Sequence, residues 1–227
     1  VGLIGRPFLG KTSMLQNRIP VLAQPDLIPI YMEVLPEPLD YFAKKFMGTI
    51  LQSYLEHKGI KIPATFDGLV KKGRKLLPQT VKRMRMLRNH IARHESRTAF
   101  ELLFSLTATV QEESGRKIIL VLDEFDRLQR WGAETAFVAL SQQIMVQKDT
   151  MYVVASSRPS VAKHIFMERL SLLFGNFETI DVLPFRFTES YSFITKKLGA
   201  GTLAPQYVHF LIYITDGHPY YLDIITD

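Results

Sequence analysis

The chain has 227 residues, of which 47% are hydrophobic, and this is enough apolar material for one sizeable core or for a core with a small appended lid. It contains no cysteine, which excludes disulfides, thiolate metal sites and cysteine nucleophiles. We expect a cytoplasmic protein, because a chain without cysteine fits a reducing compartment best. No apolar run approaches the roughly 18 residues that cross a bilayer, so the sequence predicts no membrane partner.

The formal net charge of +6 belongs to one segment rather than to the whole chain. Between Lys71 and Arg97 lie ten of the 28 Lys and Arg residues but only one of the 22 acidic residues, Glu95. The rest of the chain therefore carries a small net negative charge.

Short apolar runs rich in β-branched residues alternate with longer stretches of helical period, a pattern typical of βα units. It predicts an α/β fold with a five-stranded parallel sheet between helices. The strands are expected at Val1 to Ile4, Leu27 to Val34, Lys117 to Leu122, Met151 to Ser156 and Phe177 to Leu183. The chain begins inside the first strand and ends where a helix has only begun, so we expect a piece of a longer protein.

The first predicted strand is followed by the pattern G-x-x-x-x-G-K-[ST], which spans Gly5 to Thr12 and leads into a predicted helix. Gly5 and Gly10 allow the backbone to curl so that its N–H groups converge on phosphates, and the helix N-terminus adds its dipole. An ordinary glycine-containing turn is the alternative, and the flanking strand and helix argue against it. The expected nucleotide-binding residues are Gly5, Arg6, Pro7, Phe8, Leu9, Gly10, Lys11, Thr12 and Ser13.

Two side chains of this loop have specific expected roles. Lys11 is expected to reach the β and γ phosphates of a nucleotide. The hydroxyl of Thr12 is expected to ligate Mg²⁺.

More than eighty residues separate the second and third predicted strands, too many for a single crossover helix. Helical spacing is present in Tyr41 to Tyr54 and again from Val81 to Val110. Gly, Pro and Lys clusters between them predict several helices joined by loops. We define a basic helical insertion at about residues 60–113.

The cations of this insertion, from Lys71 to Arg97, allow two interpretations. One is a solvated helix face whose apolar side packs on the core, and the other is contact with nucleic-acid phosphates. Aromatic residues that would stack on single strands are missing between Thr80 and Ala99. We favour the solvated face, since charge runs are usually solvated.

The third predicted strand is apolar on both faces and is followed directly by Asp123 and Glu124. Ligands of open α/β sheets bind at the carboxyl ends of the strands. We expect Asp123 to hold Mg²⁺ through its shell and Glu124 to orient or deprotonate the attacking water. An acid at this place is more often a helix cap or a solvated tip, and the phosphate loop on the first strand is what favours catalysis.

Several charged residues follow the third and fourth strands. Asp126, Arg127 and Arg130 have helical spacing, and we interpret them as a solvated or ion-paired turn. Arg158 follows the fourth strand, where it can read a γ phosphate through bidentate contacts or lie as a surface arginine before Pro159.

After Leu183 the pattern is wholly helical. Thr188 is predicted to cap a helix that runs to Lys197, and a second helix is predicted from Pro205 to Thr215. The run Asp216-Gly217-His218-Pro219 predicts an inter-helix turn, with Pro219 in the first turn of a third helix.

Taken together, four motifs resemble the STAND and archaeal-type ATPases, relatives of the AAA+ proteins within the P-loop NTPases. Two of them are shared by very many ATPases, and two narrow the choice. The motifs are GRPFLGKTSML at Gly5 to Leu15, IILVLDEFDRL at Ile118 to Leu128, VVASSRP at Val153 to Pro159 and GHPYYL at Gly217 to Leu222. The resemblance implies a P-loop ATPase core at 1–183 and the start of an incomplete helical lid at 184–227.

The resemblance also implies a strand order and site roles. The fourth strand would lie between the acidic strand and the phosphate-loop strand, and Arg158 would contact the γ phosphate. The turn of Gly217, His218 and Pro219 would pack near the adenine. The implied catalytic residues are Lys11, Glu124 and Arg158, the further nucleotide-binding residues are His218 and Pro219, and the metal-binding residues are Thr12 and Asp123.

The implied function is an ATP-binding and ATP-hydrolysing, STAND-like molecular switch that uses ATP/ADP and Mg²⁺. Such switches turn over slowly or on stimulation by a partner, as homo-oligomers or with other domains of a longer chain. No N-K-x-D sequence is present to specify guanine, and an arginine finger of the AAA+ type is not identified.

Two other functions stay open. The basic segment suggests a DNA-associated AAA+ ATPase of the initiator or loader type. The second alternative is a scaffold that holds nucleotide without hydrolysing it. The acidic pair of Asp123 and Glu124 argues against this alternative.

Overall fold

The computed structural model describes residues 1–19, 21, 25–171 and 177–227. Its five strands lie where the sequence predicts them, although the first and last are shorter. They are β1 (Gly2–Ile4), β2 (Leu27–Glu33), β3 (Lys117–Asp123), β4 (Thr150–Ser156) and β5 (Thr179–Asp181). All pairings are parallel, in the order β2-β3-β4-β1-β5. β4 therefore lies between the acidic strand β3 and the loop strand β1.

Helices cover the sheet and follow its last strand. They are α1 (Lys11–Arg18), α2 (Leu39–His57), α3 (Phe66–Leu76), α4 (Pro78–Ala92), α5 (Ser96–Ser114), α6 (Ala133–Val146), α7 (Pro159–His164), α8 (Phe187–Leu198), α9 (Pro205–Thr215) and α10 (Pro219–Ile225). A 3-10 helix, Phe125–Trp131, follows β3, and a short π-helix, Ile165–Arg169, continues α7. Within the described part of the chain, no helix is both long enough and apolar enough to cross a bilayer.

The apolar character of β3 follows from its central position. Its side chains alternate between two hydrophobic clusters, with Leu120 in the larger one and Val121 in the smaller one. Because helices pack on both faces, neither face of this strand meets water. The strand thus delivers its C-terminal carboxylates from a fully buried element.

The basic insertion consists of several helices, as predicted, and its apolar side packs on the core. Leu77, Val81 and Leu87 are almost completely buried. Gly73 lets α3 approach its neighbours closely, since an added Cβ would lie 2.7 Å from Leu51 Cδ2 of α2.

The C-terminal helices α8, α9 and α10 share a small hydrophobic cluster that includes Ile194 and Leu222. The bounds of α9 match the prediction, whereas the predicted cap of α8 is wrong. The backbone N–H of Arg186 donates to Glu189 Oε2 at 2.7 Å, so the helix begins at Phe187 and Thr188 lies inside it. The division into a core and a lid at residue 184 stays a prediction.

Candidate functional site

The loop after β1 has the curled backbone that its glycines allow. Gly10 has a left-handed φ of 88° and stands directly before α1. A Cβ on Gly5 would lie 2.5 Å from the carbonyl oxygen of Val182, so a larger residue would push the loop away from the chain after β5. Phe8, at the outer tip, also has a positive φ, and the residue is 67% exposed.

Lys11 lies at the centre of the curl. Its side chain is buried, and Nζ donates to the carbonyl oxygens of Gly5 and Arg6, both at 2.8 Å. Burial lowers the pKa of Lys11, while the negative charges of Glu124 and Asp123 oppose this shift. An ammonium has three donors, so one is left for an anion held by the loop.

Thr12 and Asp123 form a pair of oxygen ligands between α1 and β3. Thr12 Oγ1 donates to Asp123 Oδ2 at 2.6 Å, and the Tyr31 hydroxyl donates to the same oxygen at 2.9 Å. Asp123 is fully buried. Burial, reinforced by the charge of Asp123, raises the pKa of Tyr31. A hydroxyl beside a carboxylate suits Mg²⁺, which prefers oxygen ligands and keeps room for waters and phosphates.

Glu124 points its carboxylate into a different environment. Its backbone is left-handed, with φ 54°, and its side chain is 11% exposed. The hydroxyl of Ser157 and, at 3.3 Å, the N–H of Ser157 donate to this carboxylate. Ser157, which directly follows β4, thus positions Glu124. No role was predicted for it, although a serine directly after the neighbouring strand was a usable signal.

The turn after β3 was expected to be solvated or ion-paired, and Asp126 is ion-paired rather than solvated. Its side chain is fully buried, because the 3-10 helix packs against β4. It accepts a hydrogen bond from Ser156 Oγ at 2.5 Å and forms an ion pair with Arg158. Arg127 is also ion-paired, with Glu33 at 3.5 Å.

These residues surround a cavity of about 640 Å³. It brings together Lys11, Thr12, Glu124 and Arg158, and Asp123 lies behind Thr12. The residues that line it are Pro7, Phe8, Gly10, Lys11, Thr12, Ser13, Glu124, Arg127, Ser157, Arg158, Phe193, Pro219, Tyr220 and Asp223. The other predicted loop residues, Gly5, Arg6 and Leu9, line a smaller cavity of about 380 Å³ instead.

A solved structure shares this architecture. A Walker-type ATPase of Pyrococcus abyssi is similar over 100% of this chain and 61% of that chain, with a TM-score of 0.67 and 17% sequence identity. This chain has the α/β fold of that ATPase. ORC2 of Aeropyrum pernix, in its complexes with ADPNP and ADP, has a TM-score of 0.49 and 13% identity, over 95% of this chain and 50% of that chain. The chain thus spans about half to three fifths of these neighbours, and no protein-family model and no curated protein matches it.

The turn before α10 contacts the loop after β1. His218 Nε2 donates to the carbonyl of Pro7 at 3.2 Å, and the rings of Phe8 and Tyr220 stack with centroids 4.9 Å apart. Pro219 lines the cavity, whereas His218 reaches the loop without lining it. The C-terminal helices therefore form one wall of the site.

Proposed function

We propose that this chain binds ATP with Mg²⁺, hydrolyses it, and works as a STAND-like molecular switch. The observation that carries the proposal is the single cavity that holds Lys11, Thr12 and Glu124 opposite residues of α10. A loop lysine, an oxygen pair for a divalent cation and a carboxylate for water are the parts that phosphoryl transfer needs.

Each part has a role in the proposed reaction. The loop N–H groups and the free donor of Lys11 hold the phosphates. Thr12 and Asp123 would hold Mg²⁺, which neutralises phosphate charge when bound. Glu124, held by Ser157, orients and deprotonates the attacking water, and Arg158 contacts the γ phosphate.

The proposed switch consists of the contact between the loop and α10. A nucleotide in the cavity contacts both walls, so ATP and ADP would stabilise the closed arrangement to different degrees. Slow turnover, assembly into a homo-oligomer and action on other domains of a longer chain belong to the same proposal.

The test compares Lys11→Ala and Glu124→Gln with the native chain. Calorimetry with MgATP should show affinity at least tenfold weaker in Lys11→Ala, because a buried cation at the phosphates is lost. Glu124→Gln should keep its affinity within about threefold and release phosphate at least 100-fold more slowly, since it keeps its shape and loses its basicity.

The matched control is Glu168→Gln, an exposed carboxylate outside the cavity, which should behave as the native chain does. Native affinity in Lys11→Ala would place the nucleotide elsewhere. Native hydrolysis in Glu124→Gln would remove its catalytic role. Tight binding of MgATP by the native chain without any phosphate release would favour the alternative of a scaffold that holds nucleotide without hydrolysing it.

A further inference from the structure

The insertion presents exposed cations that no acidic side chain neutralises. We define the basic face as Lys71, Arg74, Lys75, Lys82, Arg85, Arg88 and Arg93, all of them exposed. Within the part of the chain that the structure describes, none of the seven forms an ion pair. The other three cations of the segment are engaged, since Lys72 donates to a carbonyl, Arg83 to a hydroxyl, and Arg97 pairs with Glu101.

Outside the insertion, the exposed lysines Lys148, Lys163 and Lys196 are also unpaired among the described residues but far apart in the sequence, while Lys197 has two acidic partners. Lys197 pairs with Asp223 at 2.7 Å and with Asp227 at 2.5 Å. On α3, in contrast, Lys71 lies three residues from Arg74 and four from Lys75, a spacing at which like charges destabilise a helix. The basic face therefore costs the fold stability, and a solvated surface alone does not explain why the charges are concentrated there.

The helices α3 and α4, which carry all of the basic face except Arg93, are held firmly on the core. The Glu113 carboxylate of α5 accepts hydrogen bonds from the backbone N–H groups of Gln79 and Thr80 at 2.7 and 2.8 Å, which fixes the start of α4. Gly73 fits α3 closely against Leu51 of α2. Because the backbone beneath the cations is already ordered, a bound polyanion need order only the side chains.

The side chains around these cations indicate which kind of polyanion the basic face would bind. Between residues 71 and 97 there is no aromatic residue, and the exposed large hydrophobic side chains there are Leu76 and Met86. A helix that lies on a membrane exposes large apolar side chains as an anchor, and a single-strand site offers aromatic rings for stacking. Contact with a duplex backbone needs only the Lys and Arg side chains.

We propose that the basic face binds the phosphate backbone of a nucleic-acid duplex without reading its base sequence. The proposal rests on charge, exposure and rigidity, and it is independent of the nucleotide site.

The test measures fluorescence anisotropy of a labelled 30-base-pair DNA duplex, and of an RNA duplex of the same sequence, at 50 and 200 mM salt. The test variant is Lys71→Gln, Arg74→Gln and Lys75→Gln together, on α3. The matched control is Lys148→Gln, Lys163→Gln and Lys196→Gln, three exposed lysines outside the ion pairs of the described residues, which removes the same charge.

The native chain should bind with a Kd in the micromolar range at 50 mM salt and lose affinity steeply at 200 mM. The test variant should bind at least tenfold more weakly, and the slope of log K against log salt should fall by about 2 to 3. The control should stay within about twofold. The duplex with the lower Kd, DNA or RNA, identifies the source of the phosphates.

A second variant on α4, Lys82→Gln, Arg85→Gln and Arg88→Gln, repeats the measurement should the first one fail to fold by circular dichroism. Three results would overturn the proposal. They are no anisotropy change with either duplex at 50 mM salt, equal losses in test and control variants, and binding to phosphatidylserine vesicles without binding to a duplex.

Discussion

Asp123 and Glu124 are neighbours in the chain but lie in different environments. Asp123 is fully buried and accepts hydrogen bonds from Thr12 and Tyr31. The left-handed backbone of Glu124 turns its carboxylate toward Ser157 at the edge of the cavity. Different surroundings suit the two adjacent carboxylates to the two functions proposed for them, one for a cation and one for water.

The sequence predicts the residues of the loop because their spacing is local, while the contacts that hold the acids are not. Ser157 lies 33 residues after Glu124, and Tyr31 lies 92 residues before Asp123. Only the strand order brings these positions together, and no periodicity in the sequence encodes it. The same holds for Asp126, whose buried partners follow β4.

At the residue scale, Gly217→Ala should unfold the C-terminal helices more readily than Gly201→Ala. Both glycines have a positive φ, 68° and 82°. A Cβ on Gly217 would lie 2.1 Å from the carbonyl oxygen of Phe185, whereas Gly201 has open space. We expect a cost of about 1 kcal/mol for Gly201→Ala and at least about 3 kcal/mol for Gly217→Ala.

Urea unfolding followed by circular dichroism measures this difference. Each glycine serves as the control for the other. Alanine is strained by the positive φ at both positions, but only at Gly217 would its Cβ clash with the Phe185 carbonyl oxygen. Equal losses would mean that the turn before α10 does not pack on Phe185.

At the element scale, the strongest sequence patterns gave the best boundaries. β3 and α9 lie where predicted, because a continuous apolar run and a proline at a helix start are local signals. The start of α8 was misplaced, since Thr188 is a good cap by type but the Glu189 carboxylate satisfies an earlier N–H group. The start of α4 depends on an acid that lies 33 residues further along, at Glu113.

Glu113→Ala should therefore destabilise the chain by about 1 to 3 kcal/mol, because it leaves the first N–H groups of α4 without their charged acceptor. Glu112→Ala is the matched control: it is the preceding residue of α5, it is exposed, and alanine suits a helix at both positions. Midpoints of urea unfolding, fitted with a common slope, compare the two. A loss in Glu112→Ala as large as that in Glu113→Ala would assign the effect to the end of α5 rather than to the cap.

At the scale of the whole molecule, the parallel order places the carboxyl ends of β3, β4 and β1 side by side. β3 delivers Glu124, β4 delivers Ser157 and β1 delivers the loop, all at one edge of the sheet. The α/β fold and this edge could be predicted, since the motifs follow three separate strands. The contact between α10 and the loop could not be predicted from residue spacing, because it joins Pro7 to His218, which are 211 residues apart.

The contact between the loop and α10 should control how fast nucleotide leaves. Stacked aromatic rings contribute about 0.5 to 1.5 kcal/mol beyond their buried area, so losing the pair of Phe8 and Tyr220 should raise the dissociation rate of a fluorescent ADP by about 2- to 10-fold. A chase with unlabelled ADP measures this rate. Tyr213→Ala, on α9 and 85% exposed, is the control and should leave it unchanged. Because the two rings act as a pair, Phe8→Ala combined with Tyr220→Ala should accelerate release no more than the larger single effect, and strictly additive effects would show that the rings do not act together.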